Sequence, residues 1–92
     1  MRNVVRNRVV FTGRVQGVGF RHATKMQSRS YDVRGFVRNL TDGTVELIIE
    51  GERAELARCI KSIEQRMASV IKEATTTVEA ASGEFAEFNV LY

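Results

Sequence analysis

With 92 residues, 43% of them hydrophobic and 27% charged, the chain reads as one globular domain, too short for two cores and too apolar for a disordered tail. No stretch approaches the roughly 18 consecutive apolar residues of a membrane span, Met1-Arg2-Asn3-Val4-Val5-Arg6 lacks the apolar run of a secretory signal, and a single cysteine excludes an internal disulfide, so the expected home is the reducing cytoplasm. The net charge of +3 is unevenly divided: residues 1–40 hold nine Lys/Arg against one acid, Asp32, and residues 41–92 hold five against ten acids. The basic half reads either as a solvated face or as a field for an anion, with a phosphate ligand and nucleic acid as the two candidates.

Residues 4–14, rich in Val and Phe, predict a first strand whose alternation is too irregular to assign faces. Residues 20–31 predict a helix with Phe20, Ala23, Thr24, Gln27, Ser28 and Tyr31 on one partly apolar side, closed by Asp32 in a left-handed conformation. Gly35-Phe36-Val37-Arg38-Asn39 predicts a second strand, and Thr41-Asp42-Gly43 a hairpin turn. A third strand runs from Thr44 to Gly51, with Val45, Leu47 and Ile49 alternating against Glu46, Ile48 and Glu50. The clearest helix carries Leu56, Cys59, Ile60, Ile63 and Met67 on a single apolar stripe. Residues 73–81 and 85–92 close the chain as strands, with Phe88, Val90 and Tyr92 alternating in the last. The order βαββαβ, with a short extra strand, predicts an α+β fold over residues 1–92: a ferredoxin-like α/β sandwich with two helices packed on one face of an antiparallel sheet. That architecture serves many functions and argues for none.

The chemistry is narrowed by what is missing. A cysteine phosphatase needs Cys, five residues and Arg in one loop; Cys59 has Gln65 in that place and lies on the apolar stripe, so it reads as core. One histidine, His22, and one cysteine far from it exclude ligand spacing for zinc, so no metal and no cofactor is expected. His22 itself fits a surface residue or a ligand contact beside the loop. The acids after residue 41 alternate along strands or lie on the polar side of the second helix, which reads as a solvated face.

What remains is Gly13-Arg14-Val15-Gln16-Gly17-Val18-Gly19-Phe20-Arg21, between a strand and a helix. Glycines permit positive φ and leave backbone N–H groups unscreened, and converging N–H groups at a helix start attract an anion. Arg21, in the first helical turn, suits a two-pronged grip on phosphate oxygens. The Gly-Lys-Ser/Thr ending of a nucleotide loop is absent. Taken alone, the pattern fits a tight turn or an anion nest.

The nine-residue stretch resembles the signature loop of the acylphosphatase family, and Gly35-Phe36-Val37-Arg38-Asn39 resembles that family's second signature. Asp42-Gly43, Val45-Glu46 and Phe88-Asn89-Val90-Leu91-Tyr92 fit as well, so the resemblance runs over nearly the whole chain. It implies hydrolysis of small acyl phosphates to carboxylate and inorganic phosphate; a chain that starts and stops with the domain reads as a standalone enzyme, the missing ligand spacing as a metal-free one, and a small domain with no exposed apolar stripe as a monomer. It also implies a phosphate cradle made by the amides of Val15, Gln16, Gly17, Val18, Gly19 and Phe20, with Arg21 on the phosphoryl group and Asn39 orienting the attacking water. Ser28, where alanine is common, and Asp32, where glycine often ends the helix, depart from the family pattern. An RNA-binding domain of the same element order is the rival reading, disfavoured because Val45-Glu46-Leu47-Ile48-Ile49-Glu50 offers no aromatic for base stacking and carries two acids. The other keeps fold and site and changes the role: the resemblance also extends to domains fused to larger enzymes that use carbamoyl phosphate, or the chain is a phosphate-binding accessory protein with negligible turnover.

Overall fold

The computed structural model describes residues 3–92; the expectation about the chain's opening rests in part on Met1 and Arg2, which lie outside them. The first strand, β1 (Val4–Gly13), does alternate: Val5, Asn7, Val9 and Phe11 are buried, and Arg6, Arg8 and Val10 between them are half-buried on the other side. Asn7 on the apolar side and Val10 on the polar side hid that pattern in the sequence. There follow α1 (Phe20–Ser28), β2 (Arg34–Asn39), β3 (Val45–Glu52), α2 (Arg53–Arg66), β4 (Ile71–Ala80) and β5 (Phe88–Leu91). The sheet order is β4-β1-β3-β2-β5. Four strands pair antiparallel, whereas β5 lies parallel to β2 at the edge. The parallel pairing follows from the route: after β4, on the opposite edge, residues 81–87 cross the helix-free face of the sheet before reaching β2.

The core lies between sheet and helices. Val9, Phe11, Val37, Val45, Leu47 and Ile49 from the strands are fully buried and meet Phe20 of α1 and Leu56, Cys59, Ile60 and Ile63 of α2. The predicted stripe of the second helix is thus the packed one, with Met67 partly buried just beyond its end. Cys59 is fully buried, and burial, with the charge of Glu55 adding to it, pushes its thiol up to about 12. It is a core residue without nucleophilic character at neutral pH.

Helix α1 stops three residues earlier than expected. The Ser28 hydroxyl donates to the carbonyls of Thr24 (3.0 Å) and Lys25 (2.9 Å), and the N–H groups of Ser30 and Tyr31 turn back to Gln27 and Ser28. Ser28 thus bonds back onto its own last turn, which weakens and bends a helix there. Asp32 is not left-handed, since no residue other than glycine has positive φ among the described residues; its N–H donates instead to Glu55 Oε2 at 2.9 Å, tying the connection to α2.

The helix-free face corrects the reading of the acids on the third strand. Glu46 and Glu50 are only 5% and 6% exposed, so they are not a solvated face. Glu46 accepts from Arg8 Nε at 2.6 Å and Arg38 Nε at 2.7 Å, one arginine from each neighbouring strand. Glu50 accepts from Arg6 Nε at 2.7 Å, the Ser82 N–H and hydroxyl, and the Gly83 N–H. Three of the basic residues that suggested an anion field are therefore paired with the protein's own carboxylates, although Arg8 and Arg38 remain well exposed. Burial raises the Glu50 carboxyl, but these donors outweigh it and hold it at about 2, against an ordinary value of 4.5. A folded-state pKa below the unfolded one means that the contribution is complete above about pH 5 and is lost as pH falls toward 2, on the order of 3 kcal/mol in all. Thermal unfolding midpoints are expected to drop across that window, and Glu50→Gln to flatten the drop while lowering the midpoint at pH 7.

Candidate active site

The loop between β1 and α1 is pinned at both ends. Arg14 N–H donates to the Val70 carbonyl at 2.9 Å. Val15 and Phe20 turn their side chains into the core, with the Phe20 ring centroid 5.0 Å from that of Phe11. Between these anchors the chain must reverse, which it does through Gly17 (φ 76°) and Gly19 (φ 77°), in the left-handed region where a side chain costs about 1–2 kcal/mol. The result is a run of backbone from Val15 through His22 whose N–H groups donate to no protein acceptor among the described residues; Ala23, to the Gly19 carbonyl at 3.0 Å, is the first that does. The positive end of the α1 dipole adds to the field of these donors.

Gln16 plays a part that its sequence position alone did not reveal. Its Nε2 donates to the carbonyls of Leu40 (2.8 Å) and Thr44 (2.9 Å), strapping the loop to the β2–β3 turn. Both partners are acceptors, so the amide nitrogen must face them. That turn is itself held by Asp42, whose Oδ1 accepts from the Thr44 N–H and hydroxyl; these bonds lower its carboxyl below the usual range. Gln16→Leu removes the strap but leaves the Leu40 carbonyl its bond from the Gly43 N–H and the Thr44 carbonyl its bond from the Leu40 N–H, so it is expected to cost about 1 kcal/mol in unfolding free energy, read by urea denaturation, and to raise KM for a phosphate-bearing substrate more than it lowers kcat.

Arg21 is oriented by the far end of the chain. Its Nη1 donates to the Leu91 carbonyl at 3.0 Å, and its guanidinium lies 4.7 Å from the Tyr92 ring centroid. It has no acidic partner among the described residues, which leaves its charge for a ligand. Tyr92, expected to continue the inward alternation of the last strand, instead leaves the sheet after Leu91 and is fully exposed. Asn39, at the end of β2, shares the inward face of Val37; its side-chain amide makes no hydrogen bond among the described residues.

These groups line one cavity of about 150 Å³: Val15, Gly17, Gly19 and Phe20 from the loop, with Arg21, His22, Asn39 and Tyr92 around them. The structure thus brings Arg21, Asn39 and four of the six loop residues together. Gln16 and Val18 are not among the lining residues, Gln16 being turned to the strap and Val18 standing 47% exposed at the loop tip. Size does not single out this cavity. A larger one, about 320 Å³, lies at the other end of α1 among Lys25, Arg29, Arg34 and Glu87, but it has neither the unspent loop amides nor Asn39. No group of three His, Cys, Asp or Glu arranged for a metal occurs among the described residues. Chemically, the cavity offers a concentration of N–H donors and one guanidinium for an anion, beside a neutral amide able to hold a water.

The comparisons with known proteins agree with one another. A family model described as Acylphosphatase matches residues 7–90. A protein of Acaryochloris marina named acylphosphatase is 36% identical over 91 residues, covering 99% of this chain and 98% of its own, and one of Syntrophotalea carbinolica is 38% identical over 89 residues, covering 96% and 97%. The crystal structure of acylphosphatase from Bacillus subtilis superposes with a TM-score of 0.84 at 26% identity, over 96% of this chain and 99% of that one.

Proposed function

The chain belongs to the acylphosphatase family, and from that premise we propose that it hydrolyses the carboxyl–phosphate bond of small acyl phosphates without a metal ion, holding the phosphoryl group on the amides of the Val15–Phe20 loop and on Arg21 and aiming the attacking water with Asn39. The observation that carries this reading is a run of loop N–H groups without a protein acceptor among the described residues, part of it lining a cavity together with Arg21, which has no acidic partner, and Asn39, whose side chain makes no hydrogen bond.

The scarcity of titrating groups in the cavity agrees with the chemistry. A carboxylate leaving group has a conjugate acid of pKa about 4 and departs as the anion with little need of a general acid. Phosphoryl transfer passes through a loose transition state with charge on the equatorial oxygens, so the protein must supply position and positive potential. Loop amides and the Arg21 guanidinium supply the potential. The Asn39 side-chain oxygen accepts a hydrogen bond from water and sets its line of approach. As an amide is no base at neutral pH, the water's proton goes to a phosphate oxygen of the substrate. The phosphorus–oxygen bond to water forms as that to the carboxylate breaks, releasing carboxylate and inorganic phosphate.

The rival nucleic-acid reading is weakened by the same structure. The sheet face on which such domains stack bases carries the Arg8–Glu46–Arg38 and Arg6–Glu50 pairs and the crossing segment with Ser82, Gly83 and Phe85. The deciding experiment is benzoyl phosphate hydrolysis in the presence of a chelator. Turnover unchanged by the chelator is expected; turnover abolished by it overturns metal independence, and no turnover under either condition overturns the enzyme.

A further inference from the structure

The 320 Å³ cavity at the C-terminal end of α1 takes no part in the reaction proposed above, yet its charged lining residues are mostly of one sign. Lys25 comes from α1, Arg29 directly follows it, and Arg34 opens β2; Glu87, just before β5, is the one acid among them. Three cations against one acid leave a surplus of two positive charges at a concave surface, where field lines converge on an anion.

Cations at the end of a helix ordinarily serve its orphaned carbonyls and the negative end of its dipole. Here those carbonyls have other donors: the Ser28 hydroxyl meets Thr24 and Lys25, and the Ser30 and Tyr31 N–H groups meet Gln27 and Ser28. Nor do the cations meet carboxylates, as Arg6, Arg8 and Arg38 do. Lys25 and Arg34 have no partner among the described residues, and Arg29 reaches only the Met26 sulfur, at 3.3 Å. Tyr31 and Phe88 also line the cavity and pack against the core, so its shape does not depend on an occupant. The Tyr31 hydroxyl, too, makes no hydrogen bond among the described residues.

We propose that this cavity is a second anion site, separate from the β1–α1 loop, for a compact ligand with two or more negative charges: a diphosphate group, free or carried on a larger molecule. Arg29 and Arg34 offer guanidinium forks to its oxygens, Lys25 a point charge, and Tyr31 a hydroxyl donor. Glu87 sets the lower bound on charge, since a ligand with a single negative charge gains little over the carboxylate already beside the cations. The site stands whether or not the chain is a hydrolase.

The test is a titration of the chain with sodium pyrophosphate, followed through backbone amide NMR signals, which read the two cavities separately. Saturable shifts are expected at Arg29, Arg34 and Phe88, half-complete below about 1 mM, with a midpoint different from that of Gly17 and Gly19. Combining Lys25→Gln with Arg34→Gln is expected to weaken the first set about tenfold or more. The Gly17 and Gly19 signals should respond as in the native protein, which also shows that the variant is folded. Arg21→Gln is expected to do the reverse. The same titration with ADP separates the sources: binding tighter than that of pyrophosphate assigns the site to a nucleotide, and equal or weaker binding to the free diphosphate. A double variant that binds pyrophosphate within twofold of native overturns the site. So do shifts spread over exposed arginines elsewhere, such as Arg38, Arg58 and Arg66, without saturation by about 10 mM.

Discussion

Arg21→Gln is expected to lower kcat/KM for benzoyl phosphate by about 10³-fold, the range lost with a principal transition-state donor. Glutamine keeps a polar side chain but ends two bonds short of the Nη1 that reaches the Leu91 carbonyl, and it removes the one Lys, Arg, Asp or Glu side chain lining the cavity. In a loose transition state the charge to be met lies on the equatorial oxygens, where a guanidinium offers two N–H groups at once and an amide offers one. Competitive inhibition by inorganic phosphate should weaken in parallel, since the same contact holds the product. Arg21 is half-exposed on the first turn of α1 and makes no core contact, so far-UV circular dichroism should remain native. Activity within tenfold of native would refute the assignment of Arg21.

Asn39→Ala gives the second large effect, with a different signature. Turnover is expected to fall about 10²-fold, the penalty for losing the alignment of one reactant, while the inhibition constant of inorganic phosphate changes little. The distinction follows from position: Asn39 comes from β2, across the cavity from the loop that carries the amides, and its side chain has no partner to leave stranded among the described residues. If phosphate inhibition disappears together with turnover, Asn39 binds phosphate and does not aim water.

The two variants also separate what sequence could tell from what it could not. Arg21 sits in a glycine loop before a helix, a local pattern with a local physical meaning, and the loop's function could be framed from its own residues. Asn39 had no such signal; only the resemblance to a family marked it, because its relation to Arg21 depends on how the sheet is assembled. The partners of Arg21 were less accessible still. Leu91 and Tyr92 are 70 and 71 positions away and arrive beside α1 only because β5 lies parallel to β2. The Gln16 strap failed to show for the same reason, since its acceptors are backbone carbonyls, which every sequence contains. The fold fared similarly: the stripe of α2 and the alternation of β3 were legible because each is a strong period within one element. The early end of α1 depends on a Ser28 hydroxyl turned onto its own helix, and the burial of Glu46 and Glu50 on arginines from other strands and on the crossing segment, none of which a hydropathy pattern encodes.

The buried carboxylates of β3 bear on how the sheet finds its pairing. Leu47-Ile48-Ile49 is apolar on both faces, so hydrophobic burial alone distinguishes poorly between the native alignment and one displaced by a single residue. Such a slip would turn Glu46 and Glu50 toward the helices, away from Arg6, Arg8 and Arg38, and an unpaired charge in that interior costs several kcal/mol. The ion pairs thus act as a proofreading device for strand alignment, excluding the neighbouring registers that an all-apolar β3 would tolerate, and with them any arrangement that carries Asn39, at the end of the strand paired to it, away from the β1–α1 loop.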